Sequence, residues 1–422
     1  MKLIIVLLLL PLNLNSFLVT TPICIGRGHN NNDKLSLHVT DVDDNLLEEI
    51  RTMRVKELKD ELKSKGISTN DVFEKEELVM RLYEDRKKTA GKNNNSSTTS
   101  YYRKDNNNNV IEGDLIFTSM ATAFNRKSIQ TVDDVNTFPT VKIRVNDRFD
   151  LTLLLDTACS GFVLRPSIVR EHGLKSYNKP ITMSGAGGSI NVGLTQLERF
   201  TYGGEEFDKL PAAIQDIGAL PPALDGIIGL SFLNRFVCVE FDMLNGKLRL
   251  YKKDDQPPIP KGFEVAAEGE MTPTRAGGVY TVDVTLDGRG PIKMLVDSGA
   301  SSSFLSWQGI SDLGYTKSML KELSSRSGVI GTDNVPMQLT HTLPVEIFIN
   351  LGRQSKYYGV PINRSSNISI DVGNIPVLES KLKADQVVGI LGMDLLRTIP
   401  LVRILFRSSS PKVTFLNNNA SF

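Results

Sequence analysis

Two stretches decide how the chain is read: "LLLDTACSGFVL" from Leu153 to Leu164 and "MLVDSGASSSFL" from Met294 to Leu305. Each runs three apolar residues into an aspartate, then a hydroxyl residue, then small residues and a closing apolar pair. A carboxylate at the end of a hydrophobic strand is costly unless it is paired or hydrogen-bonded, so it marks a functional position. Two such carboxylates in matching settings point to a shared task.

The match extends outward from both aspartates. "PTVKIRVNDRFDLTLLLDTA" (Pro139 to Ala158) parallels "YTVDVTLDGRGPIKMLVDSG" (Tyr280 to Gly299). In each, alternating apolar residues (Val141, Ile143, Val145; Val282, Val284, Leu286) predict a strand. A turn at Asn146-Asp147 or Asp287-Gly288 then leads into a second strand that ends in the aspartate. Downstream, "DGIIGLSFLNRF" from Asp225 parallels "VVGILGMDLLRTIP" from Val387, two apolar residues running into Gly229 and Gly392. The repeated order of hairpin, Asp, long β region and apolar-apolar-Gly predicts a duplicated lobe.

From about Phe138 to its end the chain resembles the aspartic proteases of the retropepsin and pepsin kind, particularly the gag-type aspartyl proteases with two retropepsin-like lobes fused in one chain. The resemblance implies a mainly β fold of two β-barrel lobes with the active site between them, and an aspartic endopeptidase activity on polypeptide substrates. It implies Asp156 and Asp297 as the catalytic pair, since hydrolysis without a covalent intermediate needs one group to take a proton from water while another gives one to the carbonyl oxygen. Thr157 and Ser298 would lock the two loops through hydroxyl-to-backbone hydrogen bonds, and Gly229 and Gly392 would pass beneath them. Gly299 would permit the tight turn after Asp297. Its counterpart Ala158 departs from the Asp-Thr-Gly pattern, adding a methyl group expected to strain the loop.

The third residue after each Asp, Cys159 and Ala300, lacks the hydroxyl that pepsin-like enzymes place there to support the charged form, which raises the expected working pH. "TMSGAGGSINVGL" (Thr182 to Leu194), with Gly185, Ala186, Gly187 and Gly188 at its centre, fits a flap that closes over a bound peptide or a plain hairpin turn. "SGVIGTDNVPM" around Gly331 is its counterpart in the second lobe. The four histidines, His29, His38, His172 and His341, show no metal-ligand spacing, so neither a metal nor another cofactor is expected. The alternative readings are a fold that keeps the lobes but binds peptides without cleaving them, and a protein tethered to nucleic acid through an N-terminal helical module.

The remaining chain divides by composition. "MKLIIVLLLLPLNLNSF" has the layout of a secretory signal peptide over residues 1–16, with a short N-terminal anchor as the alternative. Residues 17–40 are poor in acids and resemble a transit segment, so the expected destination is a secondary plastid or the secretory route itself. No later segment approaches the length of a membrane span, so no stable membrane insertion is expected after signal removal. Residues 41–88 predict a helical hairpin, with Val55, Leu58 and Leu62 on one face, Gly66 as a stop, and Leu78, Val79 and Leu82 on a second.

This hairpin resembles a SAP-type module, which implies nucleic-acid binding. Eleven basic against nine acidic residues between 51 and 88 make a small excess for phosphate, so weak nucleic-acid or protein docking through residues 51–88 is expected. Residues 89–132 read as a polar linker or prosegment, 133–255 as the first lobe and 256–422 as the second, with the fused lobes implying a monomer. A net charge of +1, from 49 basic and 48 acidic residues, argues against a polyanion as the main partner of the whole chain. Three cysteines, Cys24, Cys159 and Cys238, are too few for a disulfide framework.

Overall fold

The structure, a computed structural model, describes residues 2–4, 8–9, 50, 53–65, 75, 78–79, 82, 109–119, 137–185, 188–218, 220–253, 257–323, 329–331, 336–337, 339–346, 348–353, 357, 359–361, 368–408 and 410–418. The architecture is mainly β, as expected, and the chain divides into one unit of residues 1–17 and 105–422 and a second of residues 18–104.

In the larger unit two lobes repeat one strand plan. Thr137–Val145 pairs antiparallel with Phe149–Leu155 through a turn in which Asn146 and Asp147 both take positive φ, at 50° and 54°. Tyr280–Leu286 pairs with Arg289–Val296 through Asp287 and Gly288, at 48° and 77°. Two consecutive left-handed residues give the backbone twist that matches a two-residue hairpin, which is why Asn, Asp and Gly stand there.

The second strand of each hairpin then receives a parallel neighbour from far along the chain. Gly226–Ile228 lies beside Leu153 to Leu155, and Gly389–Leu391 beside Met294 to Val296. Each inserted strand also pairs antiparallel with the strand after the aspartate, Phe162–Leu164 or Phe304–Leu305. The inserted strands, the first strand after Asp156 and the last three residues of each second hairpin strand are buried throughout, which explains their apolar composition.

A continuous antiparallel sheet joins the lobes. It runs from Phe263–Pro273 through Lys412–Asn418, Leu401–Leu405, Cys238–Asp242 and Lys247–Tyr251 to Val110–Asp114. The last strand lies within the stretch read from sequence as linker, as does Ile116–Ser119, which pairs with Thr137–Val145. The sheets of the lobes therefore take in residues 110–119, where Ile111 and Leu115 are buried in the main core.

This joining sheet holds a buried charge cluster. Arg249 Nη1 donates to Glu240 and Asp242, both at 2.9 Å, and its Nε to Glu112 at 2.7 Å. Arg403 Nε donates to the other oxygen of Glu240, and its Nη atoms donate to the carbonyls of Pro257 and Pro258. Glu240 and Asp242 are fully buried and Glu112 is exposed; Arg249 and Arg403 answer Glu240, and Arg249 with the Asn245 amide groups answers Asp242.

In the smaller unit the helix Val55–Ser64 buries Leu58 and Leu62 against Ile50, Leu78, Val79 and Leu82. Residues 75, 78, 79 and 82 are helical, consistent with a second helix there. Val55, expected on the buried face, is 43% exposed at the helix start, and Ile50 supplies the apolar contact instead. Gly66, the expected stop, lies outside the described residues. Among the described residues no helix is long and apolar enough to cross a membrane.

Candidate active site

Each aspartate is delivered by its hairpin strand and fixed by the inserted one. Asp156 N donates to Ile228 O and Asp297 N to Leu391 O, both at 3.0 Å. One residue later the inserted strands turn at Gly229 and Gly392, and Leu230 N and Met393 N donate back to Cys159 O and Ala300 O, both at 2.8 Å. Glycine is required at the turns for space. A Cβ on Gly229 would lie 2.2 Å from Cys159 O, and one on Gly392 2.4 Å from Ser302 O.

The two aspartate loops then grip each other. Thr157 Oγ1 donates to Val296 O at 2.7 Å and accepts from Ser298 N at 3.0 Å. In return Ser298 Oγ donates to Leu155 O at 2.8 Å and accepts from Thr157 N at 3.1 Å. Each hydroxyl uses one donor and one acceptor, and together they satisfy four backbone groups that are buried where the lobes meet.

This grip sets the carboxyl groups in matching surroundings. Asp156 Oδ1 accepts from Ala158 N at 2.8 Å, and Asp297 Oδ1 accepts from Gly299 N at 2.8 Å and Ala300 N at 3.0 Å. The other oxygen of each, Oδ2, is buried and accepts no hydrogen bond. Burial raises the pKa of Asp156, against the pull of backbone N–H groups from Ala158 and Cys159. Burial raises that of Asp297 as well, and the neighbouring charge of Asp156 adds to it.

Gly299 does not serve a special turn conformation. Neither it nor Ala158 has a positive φ, so the methyl of Ala158 puts no strain on its backbone. Position 299 needs glycine because a Cβ there would stand 2.5 Å from the carboxyl carbon of Asp156.

Cys159 is buried behind the first loop, its thiol pKa pushed up by burial and its Sγ directed at Gly161 O, as expected of a small core residue. Of the glycine-rich hairpin, Ser176–Gly185 pairs with Gly188–Tyr202 and Gly185 faces Gly188, whereas Ala186 and Gly187 lie outside the described residues. In the second lobe Val329–Gly331 pairs with Pro336–Met337. Both hairpins also accept an extended partner from the chain's own start: Lys2–Ile4 runs parallel to Val329–Gly331, and Leu8–Leu9 antiparallel to Met183 and Ser184.

Sequence reading missed one brace. Ser303 N and Oγ donate to the two oxygens of Asp394, at 2.9 and 2.6 Å, while Gly392 N donates to Ser303 Oγ at 3.0 Å. The signal was a carboxylate two residues past the glycine of the inserted strand, opposite a run of serines. Among the described residues no group of His, Cys, Asp and Glu is arranged to hold a metal ion.

No curated protein matches the chain by sequence. The crystal structure of basic 7S globulin from soybean aligns at 9% identity and a TM-score of 0.43, over 74% of this chain and 96% of that one. A family model described as "Aspartyl protease" matches residues 141–232, a span that opens in the first hairpin, contains Asp156 and closes just past Gly229.

Proposed function

We propose that the chain is an aspartic endopeptidase in which Asp156 and Asp297 share one proton and activate a water molecule between them. The observation that carries this reading is the pair of interlocked loops, each presenting a buried aspartate with Oδ1 held by backbone N–H groups and Oδ2 unpartnered. The family model supports the first lobe, and the repeated geometry extends the assignment to Asp297.

The chemistry balances within the pair. The carboxylate takes a proton from water as the water oxygen attacks the scissile carbonyl carbon, and the carboxylic acid gives its proton to the carbonyl oxygen. The resulting diol collapses when the amide nitrogen receives a proton and the C–N bond breaks, leaving one new acid, one new amine and a singly protonated pair. An extended substrate would pair with the two glycine-containing hairpins, whose edges already take the extended segments Lys2–Ile4 and Leu8–Leu9. Hydrolysis of a peptide library, compared between the protein and its Asp156→Asn and Asp297→Asn variants, tests the reading. The helical unit is proposed as a docking module, tested by salt-dependent binding of duplex DNA to the full chain.

A further inference from the structure

The two aspartate loops correspond residue by residue, with Thr157 against Ser298, Ala158 against Gly299 and Cys159 against Ala300, all buried, and of these pairs only Ala158 and Gly299 set a side chain against none. A Cβ built on Gly299 would stand 2.5 Å from Asp156 Cγ and Oδ2 and 2.9 Å from Oδ1, closer than any real side chain approaches. The corresponding residue of the other loop carries a real Cβ, that of the fully buried Ala158. Ala158 N donates to Asp156 as Gly299 N donates to Asp297, both at 2.8 Å, and Thr157 and Ser298 exchange reciprocal bonds. These matching bonds relate the loops by an approximate local two-fold, which would direct the Ala158 methyl at Asp297 as position 299 is directed at Asp156. On that relation one carboxyl of the pair faces a glycine and the other a methyl group.

We propose that Ala158 is a positioning residue that makes the pair unequal: its methyl holds the Asp297 carboxyl back and shields it from water, so that Asp297 keeps the shared proton and Asp156 is the carboxylate that takes a proton from water. The inference rests on the reading of the two aspartates as a catalytic pair. Asp297 delivers its proton to the carbonyl oxygen of the substrate.

The surroundings agree. Among the described residues, the titratable groups that act on Asp297 are Asp156 across the pair and the buried Cys159 thiol, itself held neutral. Its donors are the N–H groups of Gly299 and Ala300, and among the described residues no cation acts on it to favour its charged form. Excluding water from a carboxyl disfavours ionisation, so the methyl acts in the direction of proton retention.

The test places Ala158→Gly in the full chain and follows aspartate carboxyl carbons by 13C NMR, in two backgrounds that isolate one carboxyl each. With Asp156→Asn, removing the methyl moves the Asp297 titration to lower pH by about half a unit or more. With Asp297→Asn, the Asp156 titration stays in place. In the otherwise unchanged enzyme the alkaline limb of kcat/KM moves down in pH with the Asp297 titration. A shift that falls on Asp156 instead, or no shift in either background, overturns the proposal. Because the NMR arm needs no turnover, absence of hydrolysis would count against the protease reading alone, and the titrations would still decide the role of Ala158.

Discussion

Thr157 and Ser298, 141 residues apart, each donate a hydroxyl hydrogen bond into the other's lobe and accept a backbone N–H from the other in return. The geometry of the aspartate pair depends on this exchange, because each hydroxyl belongs to the residue directly after an aspartate.

Thr157→Val keeps the shape and removes the hydroxyl, leaving Ser298 N and Val296 O buried without partners. The expected loss is about 1–3 kcal/mol in urea unfolding, with a larger fractional fall in kcat than rise in KM. Unchanged stability and kcat would contradict the role given to the exchange.

Replacing either aspartate should stabilise the fold at neutral pH. The folded pKa of each lies above its ordinary value of 3.8. Between that value and the raised one, the folded chain holds a proton that the unfolded chain has released. Stability therefore falls as pH rises through this window. Asp297→Asn removes the penalty, so its melting temperature should exceed that of the parent protein by a margin that widens from pH 4 to pH 7. A constant margin would contradict the account.

The same upward shifts move the singly protonated pair to higher pH than two ordinary carboxyls would allow. The rate profile should peak above about pH 5, and a maximum near pH 2 to 3 would show that the carboxyls are not held in the buried setting described.

In the joining sheet, Arg249→Met leaves Glu240 and Asp242 buried with less compensation. It should cost about 3–5 kcal/mol in unfolding free energy, whereas Arg144→Met, which loses an exposed pair with Asp150 and an exposed donation to Asp147 O, should cost under about 1 kcal/mol.

Gly229→Ala and Gly392→Ala should each destabilise by about 1–3 kcal/mol, since the added carbon must displace the carbonyls of Cys159 or Ser302 in the aspartate loops. Activity should fall further than stability alone explains, because the displaced atoms belong to the loops that aim the carboxyls.

Local chemistry made much of the site legible in sequence. Asn146-Asp147 and Asp287-Gly288 announced the hairpins because consecutive positive φ values suit few residues. The apolar-apolar-Gly repeats announced the inserted strands because only glycine fits against the loop carbonyls. What escaped was set by long-range pairing. Val110–Asp114 looks polar in isolation, and its place in the sheet follows from Lys247–Tyr251, more than a hundred residues away. Arg249, Arg403, Glu240 and Asp242 carry no local sequence signal of their pairing, which follows from strands that meet only in the folded sheet. Gly299 was read as a turn residue, whereas its demand for space comes from Asp156 in the other lobe.

The most direct test is hydrolysis of a peptide library by the purified protein from pH 3 to 8, alongside Asp156→Asn and Asp297→Asn variants shown to be folded. The account predicts cleavage by the parent protein and its loss in both variants. Cleavage that survives in either variant, or a folded parent protein that cleaves nothing at any pH, would contradict it.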